Sequence, residues 1–190
     1  MKRTDILKHL VFKHAYKSYL EIGVQFSGNN FDLINVPHKV GVDPISGGTH
    51  KMTSDQFFMH NNRQFDLIYI DGLHHAHQVL KDFNNSLRCL SKGGSIVLHD
   101  CSPGTKEAQI VPRKQKAWNG DVWRTWVSII EAYPQAYCIN TNEGCGVIEN
   151  LGKQRRPLLR NYSLVSYEEM DSNRKRLLHL IEVPAWLKEA

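Results

Sequence analysis

Two short apolar runs each stop on groups that can do chemistry. Phe65-Asp66-Leu67-Ile68-Tyr69-Ile70 breaks into Asp71-Gly72-Leu73-His74, and Gly93-Gly94-Ser95-Ile96-Val97-Leu98 breaks into His99-Asp100. Brief runs rich in β-branched residues read as buried strands. Between them, residues 77–90 set Val79, Leu80, Phe83, Leu87 and Leu90 on one stripe of a helix. Strand, helix and strand in that order make a parallel pair with a crossover. Parallel sheets bury both faces and bind ligands just beyond the carboxyl ends of their strands. Asp71, His74, His99 and Asp100 are therefore expected at one rim, as a set suited to a divalent metal and a base.

The rest of the chain repeats the alternation. Residues 4–17 predict a helix with Thr4 as its N-cap. Residues 19–24 and 39–44 predict strands, with a short helix from Gly28 to about Asn35 between them. A third strand at 49–52 is weakly marked, and 54–60 is helical. Gly93 and Gly94 are expected to cap the 77–90 helix. A long loop, 101–119, leads to a helix from Asp121 to about Tyr133. Loops of that length in compact domains usually carry function. Residues 136–141 and 146–150 predict a closing hairpin, and 167–181 a final helix. The expected fold is α/β: a single Rossmann-like, doubly wound sheet, mostly parallel, with an antiparallel C-terminal edge strand. Residues 1–150 would form the main domain, and 151–190 an extension with one helix packed on the core or on a partner subunit.

Bulk properties narrow the class. The 190 residues fit one domain. No apolar run approaches the roughly 20 residues of a membrane span. The N-terminal residues lack the apolar stretch of a secretion signal. Cys89, Cys101, Cys138 and Cys145 show no C-x-x-C spacing, which points to reduced thiols in the cytoplasm. The formal charge of +5 is spread over modest clusters at 113–116, 155–156 and 174–176. No aromatic residues interleave with them, so they read as solvated surface and not as a nucleic-acid face. An acidic substrate for the 113–116 cluster stays open.

Glu21-Ile22-Gly23-Val24-Gln25-Phe26-Ser27-Gly28-Asn29 lies at a strand-to-helix turn, and Asp43 ends the next strand. Glycines at such a turn allow close approach of a ligand, and an acid at the next strand end can accept both hydroxyls of a ribose. A plain turn with a capping acid would look the same. The turn lacks a full G-x-G-x-x-G. Glu21 would repel a pyrophosphate but suits a cationic ligand, which favours S-adenosylmethionine, a sulfonium with an ammonium and a ribose, over NAD.

Taken together, Glu21-Ile22-Gly23-Val24 with Gly28, Val40-Gly41-Val42-Asp43-Pro44, Asp71-Gly72-Leu73-His74, Gly93-Gly94 and His99-Asp100 resemble a class I S-adenosylmethionine-dependent methyltransferase. More narrowly, they resemble the compact subgroup of sugar and natural-product biosynthesis with D-G-x-H, G-G and H-D motifs. Trp118-Asn119-Gly120-Asp121-Val122-Trp123 resembles that subgroup's segment after the fifth strand, and the likeness runs over about 18–150. It implies that Glu21, Gly23, Gln25, Ser27 and Gly28 hold the methionine portion, Asp43 the ribose, and Ser54 and Asp55 the adenine, with Asp71 at the same pocket. Ser27 stands where the family has glycine. His74 becomes the candidate general base, working with Asp71, and Asp71, His99 and Asp100 the candidate ligands of a divalent metal, magnesium by the acids. His99 is a departure from two acids at that strand end.

The residues leave structural readings open beside these: His74 as a contact of the following helix, Trp126 as core, Trp118 as a lid, and His75 and His77 as surface. Other functions also stay open. One is an iron oxygenase built on His74, His99 and Asp100; another is a cofactor-binding module without catalysis. The expected partner is a small-molecule or glycan substrate, with self-association through Leu177, Leu178 and Ile181 a further option.

Overall fold

The computed structural model describes residues 1–153, 155–158 and 163–189. Its core is a seven-stranded sheet of order β2-β1-β3-β4-β6-β5-β7. The strands are β1 (Ser18–Ile22), β2 (His38–Val42), β3 (Phe65–Ile70), β4 (Leu90–Leu98), β5 (Tyr137–Ile139), β6 (Cys145–Leu151) and β7 (Leu180–Ile181). β1 to β4 are mutually parallel, while β6 runs against both β4 and β5. β7 then adds to β5 in parallel. The expected mostly parallel α/β sheet is present, but its antiparallel strand is interior and a parallel strand forms the edge.

Side-chain alternation along the strands winds the sheet on both faces. Leu20, Ile22, Ile68, Ile70, Ile96 and Leu98 join one apolar cluster with α2 (Ser54–His60), α3 (Ala76–Cys89) and α4 (Val122–Ala132). Tyr19, Leu67, Tyr69 and Val97 face the other way, onto α1 (Arg3–Lys13) and Trp186 of α7 (Val183–Glu189). Trp123 and Trp126 are fully buried, so Trp126 is core as one reading had it.

Several local expectations change. The 49–52 run has only one bridge, His50 to Val42, and makes no strand. The segment around Gly28 forms two 3-10 turns, Ser27–Asn29 and Phe31–Leu33, in place of a helix. Lys2, not Thr4, precedes α1, and the Thr4 hydroxyl donates to the Asn29 carbonyl at 3.3 Å. No glycine caps α3: the chain passes directly into β4 at Leu90, and Gly93 takes φ +80° within the strand. The single tail helix resolves into α5 (Tyr167–Ser172), α6 (Arg174–Leu177) and β7, because the outer edge of β5 needs a hydrogen-bonding partner. Leu178, one of the residues considered for self-association, is buried in the core.

Two of the basic clusters are structural. Arg155 donates to the carbonyls of Leu87, Leu90 and Ser91, and Arg174 donates to Ser102 Oγ and the Pro103 carbonyl. No helix among the described residues is long and apolar enough to cross a membrane.

Candidate active site

A cavity of about 840 Å³ opens where β1, β2, β3 and β4 end. Parallel register puts these ends together: Ile22 is level with both Val42 and Ile70, and Ile70 with Leu98. Glu21, Asp43, Asp71, His99 and Asp100, read from four separate strand ends, all line that one space.

At the first end, Gly23 has φ +89°, and a Cβ there would lie 2.1 Å from the Asp71 carbonyl oxygen. Only glycine fits this crossing of the first turn over the third strand's exit. Glu21 is 2 % exposed and accepts from the Tyr19 hydroxyl at 2.7 Å and from Asn30 Nδ2 at 3.2 Å. Burial pushes its carboxyl up to about 7, against the lowering effect of the Tyr19 and Asn30 hydrogen bonds. Asn30 is also buried, lines the cavity, and leaves its Oδ1 without a partner among the described residues. A buried carboxylate and a spare acceptor among the described residues fit an ammonium group.

Asp43 ties the turn together. It accepts from Gln25 N at 2.9 Å on one oxygen, and from Ile45 N and Ser46 N at 2.8 and 2.9 Å on the other. Ser54 and Asp55 also line the cavity, held by Gln78 Nε2 at 3.2 and 3.0 Å. The same amide reaches the buried Asp82 at 3.1 Å, whose carboxyl burial pushes up to about 6. Of the expected cofactor residues, Ser27 and Gly28 are not brought to the cavity wall; the Ser27 hydroxyl donates to Asp32 instead. The 3-10 turn directs that segment outward and presents Phe26, Asn29 and Asn30 to the cavity.

At the second end the acids have cationic neighbours. His99 Nδ1 lies 3.3 Å from Asp71 and 3.1 Å from Asp100, and its Nε2 lies 3.3 Å from Glu143. Burial opposes the charge on His99, but the fields of Asp71 and Asp100 outweigh it and hold the imidazole well above its usual range. Burial of Asp71 is outweighed in the same way, by His99, His74 and Arg3, and its carboxyl lies far below the usual carboxylate range. Tyr69 donates to Asp71 at 3.0 Å, and Arg3 lies 3.7 Å away. Asp100 sits at φ +62° and accepts from Asn119 Nδ2 at 2.5 Å.

His74 completes the cluster. Its Nε2 is 3.6 Å from Asp71, and its Nδ1 is 3.3 Å from both Asp100 and the Trp118 carbonyl. The His74 ring stacks on Trp118 with centroids 5.3 Å apart. Gly120, at φ +64°, fixes this contact, since a Cβ there would lie 1.8 Å from the His74 carbonyl oxygen. Asp121 then accepts from Ala76 N at 2.6 Å and caps α3 across the loop. His74 therefore does not cap the helix, and His77 is exposed, as expected of a surface residue.

Asp71, His74 and Asp100 each offer a ligand atom within 4.8 Å of one another, and so do His99, Asp100 and Glu143. Carboxylate oxygens from Asp71 and Asp100 form a hard donor set of the kind magnesium takes, and His99, held protonated between them, would have to lose its proton to join it. Arg3, Asn30, Gln78, Asn119 and Glu143 went unrecognised in the sequence. Arg3, Asn30, Gln78 and Glu143 lie outside the motifs and are carried to the rim by the fold, while Asn119 sits in the Trp118–Trp123 segment without a role that the segment gives away.

The comparisons agree with this architecture. Residues 20–101 match the family model described as a methyltransferase domain. No curated protein matches the chain in sequence. Among solved structures, the chain is similar to the O-methyltransferase TomG from Streptomyces achromogenes in complex with SAM, with TM-score 0.58 and 16 % identity over 79 % of this chain and 80 % of that one. It is similar to the O-methyltransferase from Bacillus cereus in complex with SAH, with TM-score 0.52 and 14 % identity over 78 % and 82 % of the two chains. It is also similar to the N-methyltransferase NodS from Bradyrhizobium japonicum, with TM-score 0.53 and 16 % identity over 78 % and 94 %. At these identities the structures establish the fold. The domain match spans 20–101 and so includes all four parallel strand ends.

Proposed function

We propose that the protein transfers a methyl group from S-adenosylmethionine to an oxygen of a small-molecule acceptor, a sugar, glycan or related hydroxyl compound, with a divalent cation assisting. The observation that carries this reading is the convergence of Asp71, His74, His99 and Asp100 at one end of a cavity whose other end holds Glu21 and Asp43. Both O- and N-methyltransferases are among the fold neighbours, which leaves the acceptor atom to the site, and a base between two acids suits a hydroxyl, which must lose a proton.

In this reading Glu21, Gly23 and Gln25 bind the methionine portion, Asp43 the ribose, and Ser54 and Asp55 the adenine. Residues 1–150 form the cofactor-binding unit and 151–190 the extension. The cofactor supplies an electrophilic methyl group, and a cation held by Asp71 and Asp100 lowers the pKa of the acceptor hydroxyl. The chain's own part is positioning and proton transfer. The Trp118 carbonyl can only accept, so His74 carries its proton on Nδ1. That leaves Nε2, at 3.6 Å from Asp71 and beyond hydrogen-bonding reach, to take the proton of the acceptor. Trp118, stacked on the same ring, shields it from water and holds its plane. Four free, buried cysteines support a reducing, cytoplasmic setting.

Calorimetry with S-adenosylmethionine, with and without magnesium, tests the cofactor and the metal separately. Methyl transfer to a panel of sugar and phenolic hydroxyl acceptors tests the reaction. Absence of cofactor binding by the wild-type protein overturns the whole reading; binding and turnover indifferent to magnesium and to EDTA overturn only the metal.

A further inference from the structure

The cavity is lined by acids from both ends: Glu21 from the cofactor end, and Asp71, Asp100 and Glu143 from the other. An ammonium and a sulfonium are welcome beside such a floor, but a carboxylate is repelled unless a cation meets it. The methionine portion of S-adenosylmethionine carries all three. Its carboxylate therefore needs a positive side chain that the acidic residues do not supply.

Arg3 is placed for that. It opens α1, lines the cavity, and holds its guanidinium 3.7 Å from Asp71 Oδ2 with the side chain 31 % exposed. The start of α1 is fixed to the cofactor turn by the Thr4 hydroxyl bond to the Asn29 carbonyl, and its first turn is closed by Lys2 N donating to Asp5 Oδ2 at 2.8 Å. Asn29 and Asn30 line the cavity beside it. The other lysine and arginine side chains among the described lining residues, Arg113 and Lys116, belong to the loop after β4. Arg113 stacks 5.8 Å over Trp118 and donates to the carbonyls of Gln115 and Lys116, which holds it to that loop. At 3.7 Å the Arg3–Asp71 contact is a loose ion pair, and among the described residues no hydrogen bond occupies the guanidinium's donor fork, which suits a bidentate carboxylate.

We propose that Arg3 receives the α-carboxylate of S-adenosylmethionine, so that the acidic floor and this one guanidinium together recognise a zwitterionic amino-acid tail. The inference rests on the methyltransferase reading above. It makes Arg3 a specificity-determining residue, one that separates cofactor and product, which keep the tail, from adenosyl thioethers that lack it.

The test is calorimetry with two probes on the full chain. S-Adenosylhomocysteine carries the tail; 5′-methylthioadenosine carries only the thioether and nucleoside. Arg3→Ala should weaken S-adenosylhomocysteine about ten- to a hundredfold, as loss of a charge-assisted pair does, and leave methylthioadenosine within about twofold. Arg3→Lys should recover part of the loss, because it keeps the charge without the fork. Equal weakening of both probes, or no change in either, overturns the proposal. An Arg3→Gln variant with an unchanged thermal melt serves where Arg3→Ala perturbs α1. If the wild-type protein binds neither probe, the functional reading has failed and this inference falls with it.

Discussion

Glu21 and Asp71 are both buried carboxylates, at the ends of neighbouring strands and lining one cavity, yet they titrate in opposite directions. Burial raises Glu21 to about 7, because its partners are the neutral Tyr19 and Asn30. Asp71 is more than compensated for burial by His99, His74 and Arg3, and stays ionised. Burial alone therefore does not decide a carboxyl's charge; the cations within reach do. The first end is an acid waiting for a positive ligand. The second is a pre-ionised cluster that already holds its counter-charges. In the proposed reaction, cofactor capture and proton transfer need these two states respectively.

The harshest way to break the second end is Asp71→Ala. It leaves the His99 cation facing one fewer acid in a buried place. Removing one member of a buried pair costs about 3–5 kcal/mol, so urea unfolding should show a loss in that range, and methyl transfer should fall at least about a thousandfold. The sign of the pH dependence follows from the shifts. Asp71 is lowered, so its contribution is present above its unfolded value of 3.8 and lost as pH falls through the folded one. His99 is raised, so its contribution is present below 6.5 and lost as pH rises through its folded value. A variant with wild-type stability at every pH would show that the pairing contributes nothing.

His74→Ala attacks the same end without emptying it. As the proposed base, His74 should account for about 10²- to 10⁴-fold in kcat, with cofactor affinity within about twofold of wild type. Burial lowers its pKa, but the nearby Asp71 and Asp100 carboxylates and the Trp118 carbonyl raise it further, to a net value above 6.5. Wild-type kcat should therefore climb with pH through a limb above 6.5, and the variant should lose that limb. A variant retaining both rate and limb removes His74 from the chemistry.

These two ends were not equally legible in the sequence. Asp71, His74, His99 and Asp100 follow apolar runs whose strand character is unmistakable, so their meeting could be deduced from the parallel topology alone. Glu21 and Asp43 were found in the same way. The supporting groups were not. Arg3 starts a helix whose docking depends on a Thr4 contact, and Asn119 and Gly120, though part of the Trp118–Trp123 resemblance, act from a loop whose lack of periodicity hides what they touch. Glycine was misread at Gly93, where a C-cap and a strand irregularity call for the same residue. The edge strand β7 was missed because two residues carry no period of their own, and because Leu177, Leu178 and Ile181 sit at helical spacing.

Glu21→Gln tests the first end, with a smaller effect of the opposite kind. A folded-state pKa of about 7 against the ordinary 4.5 means the folded protein binds the extra proton. Stability is then greatest below 4.5, falls as pH rises from there to about 7, and carries a penalty on the order of 3 kcal/mol above that. The amide has no such charge to bury. The variant should match wild type near pH 4.5 and be the more stable protein above pH 7, by up to that order, in paired thermal melts. Its affinity for S-adenosylhomocysteine should drop about tenfold, and it should lose the proton release that accompanies binding of a cation to Glu21 near neutrality. Greater stability with undiminished affinity would separate the buried acid from the cofactor.

Trp118→Ala should have the mildest effect, and it bears on whether the loop belongs to the second end at all. The ring stacks on His74 at 5.3 Å, and its indole N–H donates to the Ile110 carbonyl at 2.6 Å, so it links the 101–119 loop to the base. Removing it leaves the Trp118 backbone carbonyl in place to hold the His74 tautomer, and removes only the wall that fixes the ring plane and excludes water. An aromatic contact of this kind contributes about 0.5–1.5 kcal/mol, so kcat/KM should fall about three- to tenfold while cofactor affinity and the position of the pH limb stay put. If the limb moves toward 6.5 along with the rate, the indole helps set the base's environment as well as its orientation. If neither rate nor limb changes, the loop is a bystander, and the second end consists of the strand-end residues alone.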